Sequence, residues 1–287
     1  MKAANFFQSN VIRPSSQPLT DSNVFFARSR SLDTCGGFGI VAWMLVVAFI
    51  PARYGSTRLE AKPLQDIKGK PMVQWVYERV KRAKTVQGVA VATDDERIVR
   101  AVEAFGGKAV MTSGCCLTGT ERVAEAARFL EADIIVNVQG DEPLIEPALI
   151  DSIVEPMLAD PSIDIGTAKT KLTDPAELLS PNVVKVVTDK DGFALYFSRS
   201  SIPYSKNYFK KGSMQVYKHL GIYVYRKDAL LRLAAFKQTG LELSESLEQL
   251  RALENGMSIK VVETPYTSVA VDTQEDLDRV RKLAEDL

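Results

Sequence analysis

Three loops carry the residues whose types and spacing suit chemistry. The first holds Arg53, Arg58 and Lys62 around Gly55-Ser56-Thr57, directly after an apolar run. Small and hydroxylated residues let backbone N–H groups approach an anion, and guanidinium forks match phosphate oxygens. It is not a P-loop, because the Gly-Lys-Ser/Thr ending is missing, and a solvated basic loop is the plainer alternative. The second is Gln139-Gly140-Asp141-Glu142-Pro143, after an apolar stretch at 134–138. A carboxylate at the carboxyl end of a strand is well placed for Mg²⁺, a hard cation that prefers oxygen ligands and substrate phosphates, although Asp141 could instead merely cap a turn. The third is Val271-Asp272-Thr273, ahead of the last helical stretch, where Asp272 reads either as the N-cap or as a second metal carboxylate. Two carboxylates facing a cationic loop suit transfer of a nucleotidyl group: the metal offsets phosphate charge and the cations stabilise departing pyrophosphate.

Three stretches are weaker on physics alone. Gly119-Thr120-Glu121-Arg122 opens a helix, where N–H groups and a hydroxyl read a base edge or simply cap. Tyr196-Phe197-Ser198-Arg199-Ser200 joins an aromatic strand to an arginine. Lys218-His219-Leu220-Gly221-Ile222-Tyr223 holds the single histidine, a residue type that is more often packed than catalytic when it stands alone.

The elements that must position these residues follow from hydrophobic periodicity. Strands are expected at 45–50, 89–92, 108–111 and 134–138, alternating with helices at 72–84, 96–105, 120–130 and 147–159. Asp94 or Asp95 caps the second of these helices, and Gly106-Gly107 stops it. Such βαβ repetition predicts an α/β fold, a mostly parallel sheet sandwiched by helices, with ligands beyond the carboxyl ends of the strands. The second half is more mixed. Strands are expected at 163–170, 183–188, 194–197, 219–225 and 259–264, with a turn at 189–192. Helices are expected at 228–237, 245–254 and 273–286, the last opened by Thr273 and Asp276. The apolar run 38–50 is too short to span a membrane, which takes about 20 residues.

Composition narrows the function classes. The 287 residues carry 36 basic and 36 acidic side chains, a net charge of zero, which argues against a general nucleic-acid binder. One histidine excludes a multi-histidine metal site within the chain. Cys35, Cys115 and Cys116 make no disulfide framework, so a reducing, cytoplasmic compartment is expected. Residues 1–43 show no period and read as an N-terminal extension, disordered or apart from the catalytic unit, with Met44 as the working start and a targeting segment as the alternative. Residues 44–287 read as one domain. Zero net charge conceals segregation: between 52 and 70, Arg53, Arg58, Lys62, Lys68 and Lys70 face only Glu60 and Asp66.

The ordered motifs resemble those of the 3-deoxy-manno-octulosonate (Kdo) cytidylyltransferase family. The matching stretches are Ile50-Pro51-Ala52-Arg53-Tyr54-Gly55-Ser56-Thr57-Arg58-Leu59, Val91-Ala92-Thr93-Asp94-Asp95-Glu96, Gly119-Thr120-Glu121-Arg122 and Val136-Asn137-Val138-Gln139-Gly140-Asp141-Glu142-Pro143. They continue with Ala194-Leu195-Tyr196-Phe197-Ser198-Arg199, His219-Leu220-Gly221-Ile222-Tyr223, Leu247-Glu248-Gln249-Leu250-Arg251 and Val271-Asp272-Thr273. The resemblance implies a GT-A-like, Rossmann-like nucleotidyltransferase fold with a small mixed β portion for dimerisation and sugar binding. It implies a homodimer that converts CTP and Kdo to CMP-Kdo and pyrophosphate with Mg²⁺, for lipopolysaccharide synthesis, without nucleic-acid or membrane partners. Arg53, Ser56, Thr57, Arg58 and Lys62 would hold the triphosphate, and Thr93, Asp94, Gly119, Thr120 and Arg122 would surround the cytidine. Asp141 and Asp272 would ligate Mg²⁺; with Arg53, Arg58 and Lys62 they form the implied catalytic set. Gln139, Arg199, His219, Tyr223, Glu248 and Gln249 would face Kdo.

Three departures stand out. Glu60-Ala61 replaces the usual Pro-Gly before the lysine, Ala270 replaces the usual Gly before Val-Asp-Thr, and Gly114-Cys115-Cys116-Leu117 replaces a more polar stretch. The rival readings are a cytidylyltransferase for 8-amino-Kdo or sialic acid, a catalytically inactive nucleotide-binding regulator, and a glycosyltransferase of similar fold. The last lacks an Asp-X-Asp motif after a suitable strand.

Overall fold

The computed structural model describes residues 11–12, 44–55, 59–128, 130–210, 214–267 and 269–285. Strand β2 (Val46–Ala52) is apolar throughout, and all its residues but Pro51 are buried. It lies between β5 (Gly88–Thr93) and β7 (Ile134–Asn137), parallel to both, and β6 (Ala109–Met111) continues the parallel run beside β5. Unbroken apolar sequence fits strands covered on both faces. Val46, Ala48 and Ile50 join one core cluster, under α1 (Met72–Val80), α2 (Glu96–Ala104) and α4 (Pro147–Ala159). Val47 and Phe49 join the other, under α3 (Gly119–Arg128), α6 (Lys227–Ala235) and α8 (Gln249–Glu254). The expected helix-covered parallel sheet is therefore observed.

The far half of the sheet departs from all-parallel order. Strand β11 (Tyr217–Arg226) runs antiparallel between β7 and β8 (Ile165–Lys171), and β12 (Ile259–Glu263) closes that edge parallel to β8. Strands β9 (Lys185–Thr188) and β10 (Ala194–Ser198) form an antiparallel hairpin off the main path. Its turn is closed by Gly192 at φ 80 and by Asp189, whose carboxylate accepts from the Asp191 and Phe193 N–H groups. Among the leader residues only Val11–Ile12 is described, as β1, parallel to β6; the rest of 1–43 lies outside the described residues.

Several boundaries differ from expectation for physical reasons. Helix α1 stops at Val80 rather than at 84, because the Asp151 carboxylate accepts from the Lys84 and Thr85 N–H groups and holds a turn there. Of the two expected caps of α2, Asp95 is the one that fills the position, as expected. The expected helix at 245–254 is instead α7 (Gly240–Glu245) and α8, broken at Ser246 with φ 52 and ψ 48. A buried ion pair sets that break: Arg251 reaches back to Glu242 with contacts of 2.8 and 2.5 Å. The hairpin β3 (Asp66–Ile67) and β4 (Lys70–Pro71) and helix α5 (Pro175–Leu179) were not foreseen. Helix α9 (Gln274–Leu283) packs Leu277 and Val280 against Leu59, Ile67, Met72 and Val271, tying the end of the chain to the segment after the first loop. No helix among the described residues is long and apolar enough to cross a membrane.

The left-handed backbone at Ser246 penalises a side chain with a Cβ. Ser246→Gly should raise stability by up to about 1 kcal/mol and Ser246→Val should lower it by a similar amount. Urea unfolding midpoints measure both, and equal midpoints for the two variants would refute the strained turn.

Candidate active site

The parallel order brings the carboxyl ends of β5, β2 and β7 side by side, so the segments after Thr93, Ala52 and Asn137 share one rim. The rim is tight. A Cβ on Gly140 would sit 2.8 Å from the Pro51 carbonyl oxygen, and one on Gly119 would sit 3.3 Å from Pro51 Cγ. Gly140 therefore lets the loop bearing Asp141 cross directly over the end of β2.

On this rim the Lys62 ammonium lies 2.8 Å from Asp141 Oδ2 and 2.9 Å from Asp272 Oδ1. The Val271 N–H also donates to the Asp141 carbonyl at 2.9 Å, so the two acidic segments are fastened through their backbones. The alternatives left open by the sequence resolve here. Thr273, not Asp272, is the N-cap of α9, in a capping box with Asp276, and the Asp272 carboxylate points to Lys62. Asp141 does sit in a turn, but its carboxylate takes the ammonium. Ala61, just before Lys62, adopts φ 48 and ψ 35. That left-handed conformation costs a Cβ-bearing residue roughly 1 kcal/mol and explains why Gly suits the position.

The residues expected around the nucleotide form a second group. Arg122 is fully buried; Nη2 donates to Asp94 Oδ2 at 2.8 Å and Nη1 to Thr112 Oγ1 at 2.6 Å. It thus fixes Asp94 and the start of α3 rather than presenting its own charge. Thr93 is buried, and its hydroxyl accepts from the Asp95 N–H. Arg53 donates through Nη2 to the Cys116 carbonyl, which joins the first loop to the 114–117 loop. The Cys116 thiol donates to Glu125 Oε2 at 3.0 Å, and burial beside that carboxylate pushes its pKa up to about 12. Ser56, Thr57 and Arg58 lie outside the described residues.

The residues expected to face the sugar gather mostly around β11 and α8. Glu248 accepts from Thr118 Oγ1 at 2.8 Å and Thr120 Oγ1 at 2.5 Å, so a residue expected to face Kdo and one expected near cytidine share a hydrogen bond. Gln249 is buried at the start of α8 and Gln139 is half-buried on the rim. His219 packs between Phe197 and Tyr223, with ring centroids at 4.9 and 5.4 Å, and its Nε2 lies 2.9 Å from Thr167 Oγ1. Burial lowers its pKa to about 3, so the imidazole is neutral at physiological pH and serves as a hydrogen-bonding ring rather than a cation. Burial raises the Tyr223 phenol well above its usual range, and the ring lies 5.8 Å from Tyr225. Arg199 stands apart: its guanidinium donates to the Glu245, Pro181 and Ser246 carbonyls, bracing the α7–α8 turn.

Sequence reasoning missed three contributors. Thr118 shares Glu248. Arg97, clamped by Asp95 at 2.9 and 2.6 Å, lies over the Tyr54 ring 3.2 Å from its centroid and so pins the first loop to α2. Asn137 is buried on the last position of β7, two residues before Gln139. Only a tertiary contact distinguishes the first two from surface residues.

Comparison with known proteins adds a second line. A cytidylyltransferase family profile matches residues 47–259. A 3-deoxy-manno-octulosonate cytidylyltransferase of Geotalea uraniireducens (strain Rf4) is 57% identical over 245 residues, covering 83% of this chain and 98% of that protein. The protein of the same name from Geobacter metallireducens (strain ATCC 53774 / DSM 7210 / GS-15) is 56% identical, covering 83% and 96%. The solved structure of a CMP:2-keto-3-deoxy-manno-octonic acid synthetase complexed with CTP superposes with a TM-score of 0.81 at 44% identity, covering 85% of this chain and all of that one.

The lowered histidine pKa has a signed consequence. Below pH 6.5 the unfolded chain takes up a proton that the folded chain refuses until about pH 3, so the His219 contribution to stability falls as pH drops through that window. His219→Gln should lose less stability than the wild type between pH 7 and pH 4.5. Urea midpoints at the two pH values test this, and identical acid sensitivity in both proteins would contradict it.

Proposed function

The chain belongs to the Kdo cytidylyltransferase family, and from that premise we propose how its residues carry the reaction. The activity is CTP-dependent cytidylyl transfer to Kdo, giving CMP-Kdo and pyrophosphate. The Kdo anomeric hydroxyl oxygen attacks the α-phosphorus in line and its proton passes to solvent; the bond from that phosphorus to the bridging oxygen of the β-phosphate breaks, and pyrophosphate leaves with the electron pair. The observation that carries this reading is the meeting of Asp141 and Asp272 on the Lys62 ammonium beside a cationic loop.

In this reading Arg53 and Lys62, with Arg58, Ser56 and Thr57 of the same loop, hold the triphosphate. Thr93, Gly119, Thr120 and Asp94, the last fixed by Arg122, surround the cytidine. Gln139, His219, Tyr223, Glu248 and Gln249 face the sugar acid, with Arg199 bracing their turn. The donor set fits Mg²⁺. Two carboxylates already share one cation, the ammonium, and a magnesium ion is commonly held by one or two carboxylates plus substrate phosphates. Asp141 and Asp272 would hold it, and it would supply charge neutralisation on the phosphates. A homodimer, a cytoplasmic location and a role in lipopolysaccharide synthesis complete the proposal. An 8-amino-Kdo or sialic acid enzyme is the rival; the Tyr54-Gly55-Ser56-Thr57-Arg58 loop supports Kdo over sialic acid.

Purified protein given CTP, Mg²⁺ and Kdo should release pyrophosphate, and Asp141→Asn should cut that rate by about 100-fold or more. Turnover of another sugar acid but not Kdo would sink the substrate assignment. Lys62 tests the cation site by a readout apart from catalysis. A free divalent ion must displace its ammonium, so Lys62→Met should bind Mn²⁺ more tightly than the wild type in calorimetry without nucleotide. Unchanged Mn²⁺ affinity would refute a shared cation position.

A further inference from the structure

Asn137 is 1% exposed, yet neither its amide oxygen nor its amide nitrogen has a partner among the described residues. Buried amides are almost always paired, and an orphaned one in a packed sheet calls for a reason. Its position supplies one. Across three adjacent strands Phe49, Asn137 and Tyr223 lie in register. Side chains alternate along β7 and into the residue after it: Ile134, Val136 and Val138 belong to the cluster under α1, α2 and α4, whereas Ile135 belongs to the cluster under α3, α6 and α8. Asn137 therefore shares the second face with Phe49, Tyr223 and Tyr225. An apolar residue would satisfy that face better, since its β-sheet neighbours Ile135 and Phe49 are purely hydrocarbon.

The polar groups nearby belong to the sugar side of the site. The Tyr223 ring abuts His219 at 5.4 Å and Tyr225 at 5.8 Å, and the Thr120 hydroxyl donates to Glu248 at 2.5 Å. Two residues downstream the chain reaches Gln139, and then the Gly140 crossing and Asp141.

We propose that Asn137 is a specificity-determining residue for the sugar acid. Its amide offers a donor and an acceptor side by side, the complement of a hydroxyl, which both accepts and donates. A polyhydroxylated acid is the class of ligand that such an amide discriminates, and Tyr223, its register partner on β11, links it to His219. A site built to pair with a hydroxyl discriminates strongly, because its own polar atoms are left unmatched by anything else. The role rests on the Kdo reading above.

Asn137→Leu tests it, because leucine keeps the branched heavy-atom skeleton and removes both polar atoms. The variant should melt at or above the wild-type temperature and bind CTP in calorimetry within about twofold of wild type. Its kcat/KM for Kdo should fall by about tenfold or more. A folded variant with unchanged Kdo kinetics, as a buried water on the amide would give, overturns the proposal; so does an equal loss of CTP affinity. Should Asn137→Leu fail to fold, Asn137→Ala, which also removes both polar atoms, carries the comparison of CTP affinity and kcat/KM for Kdo at a temperature where it is folded. Wild-type turnover of Kdo in the same assay separates the two claims. If the wild type turns over a different sugar acid, the Kdo reading fails, and the Asn137 comparison is made with that acid.

Discussion

The Lys62 ammonium between Asp141 and Asp272 is the interaction on which the rest of the site depends. Two ionised carboxylates brought together on a half-buried rim repel each other with little screening, and a cation between them relieves that repulsion. The three residues are 79 and 210 positions apart in the chain, so the fold must do the gathering. It does so by apolar packing. Leu59, Ile67 and Met72 flank the lysine segment, Val271, Leu277 and Val280 flank the distal aspartate, and the two sets form one cluster. The cluster delivers the charges, and the backbone bond from Val271 to Asp141 sets their spacing. In the proposed reaction a triphosphate would enter a site whose electrostatic balance is already arranged around a positive centre, and preorganisation of this kind lowers the cost of charge development in the transition state.

The residues around β11 and α8 are mostly uncharged. His219 is held neutral, Tyr223 is held protonated, and both are packed in an aromatic row with Phe197 and Tyr225. Glu248 is the acidic residue there, and two threonine hydroxyls engage it. In the proposed reaction phosphates need fixed counter-charge, whereas the hydroxyl groups of the sugar acid need neutral donors and acceptors held in place. Arg199 and Arg122 show how the chain keeps stray cations out of this balance: one is spent on three carbonyls and the other on Asp94 and Thr112.

Much of the architecture was legible in the sequence because the parallel strands are buried on both faces. Continuous apolar runs such as Val46–Ile50, cut by polar helices, admit few other readings. Strand direction was not legible: the β11 residues alternate equally well in either orientation, and only pairing with β7 and β8 makes it antiparallel. The split between α7 and α8 escaped for a similar reason, since the Arg251–Glu242 pair that folds one helix onto the other is tertiary. Asp141 and Asp272 were legible as carboxylates at element ends, but not their common partner. That Thr273 rather than Asp272 caps α9 depends on a hydroxyl and a carboxylate three residues apart, and the residue types alone permit both arrangements.

The departures from the family pattern show which contacts tolerate substitution. The Gly114–Leu117 loop differs in its side chains, yet its tie to Arg53 runs through the Cys116 carbonyl, which every residue type supplies. Its anchor to α3 runs through Glu125, which takes the Ser113 N–H as well as the thiol. Glu60 is exposed, its carbonyl accepts from Gln65, and its charge lies where it interacts favourably with Arg97. Arg97 is in turn clamped by Asp95 and laid on Tyr54, so the acid is balanced at the outer edge of the loop instead of competing for phosphate. Ala61 is different in kind. It occupies a left-handed backbone position where the methyl group itself is the penalty, and no neighbouring side chain can offset that. Substitutions answered by backbone groups or by a compensating charge leave the Lys62 position intact, whereas a strained φ immediately before Lys62 acts on the lysine's own approach to the two carboxylates.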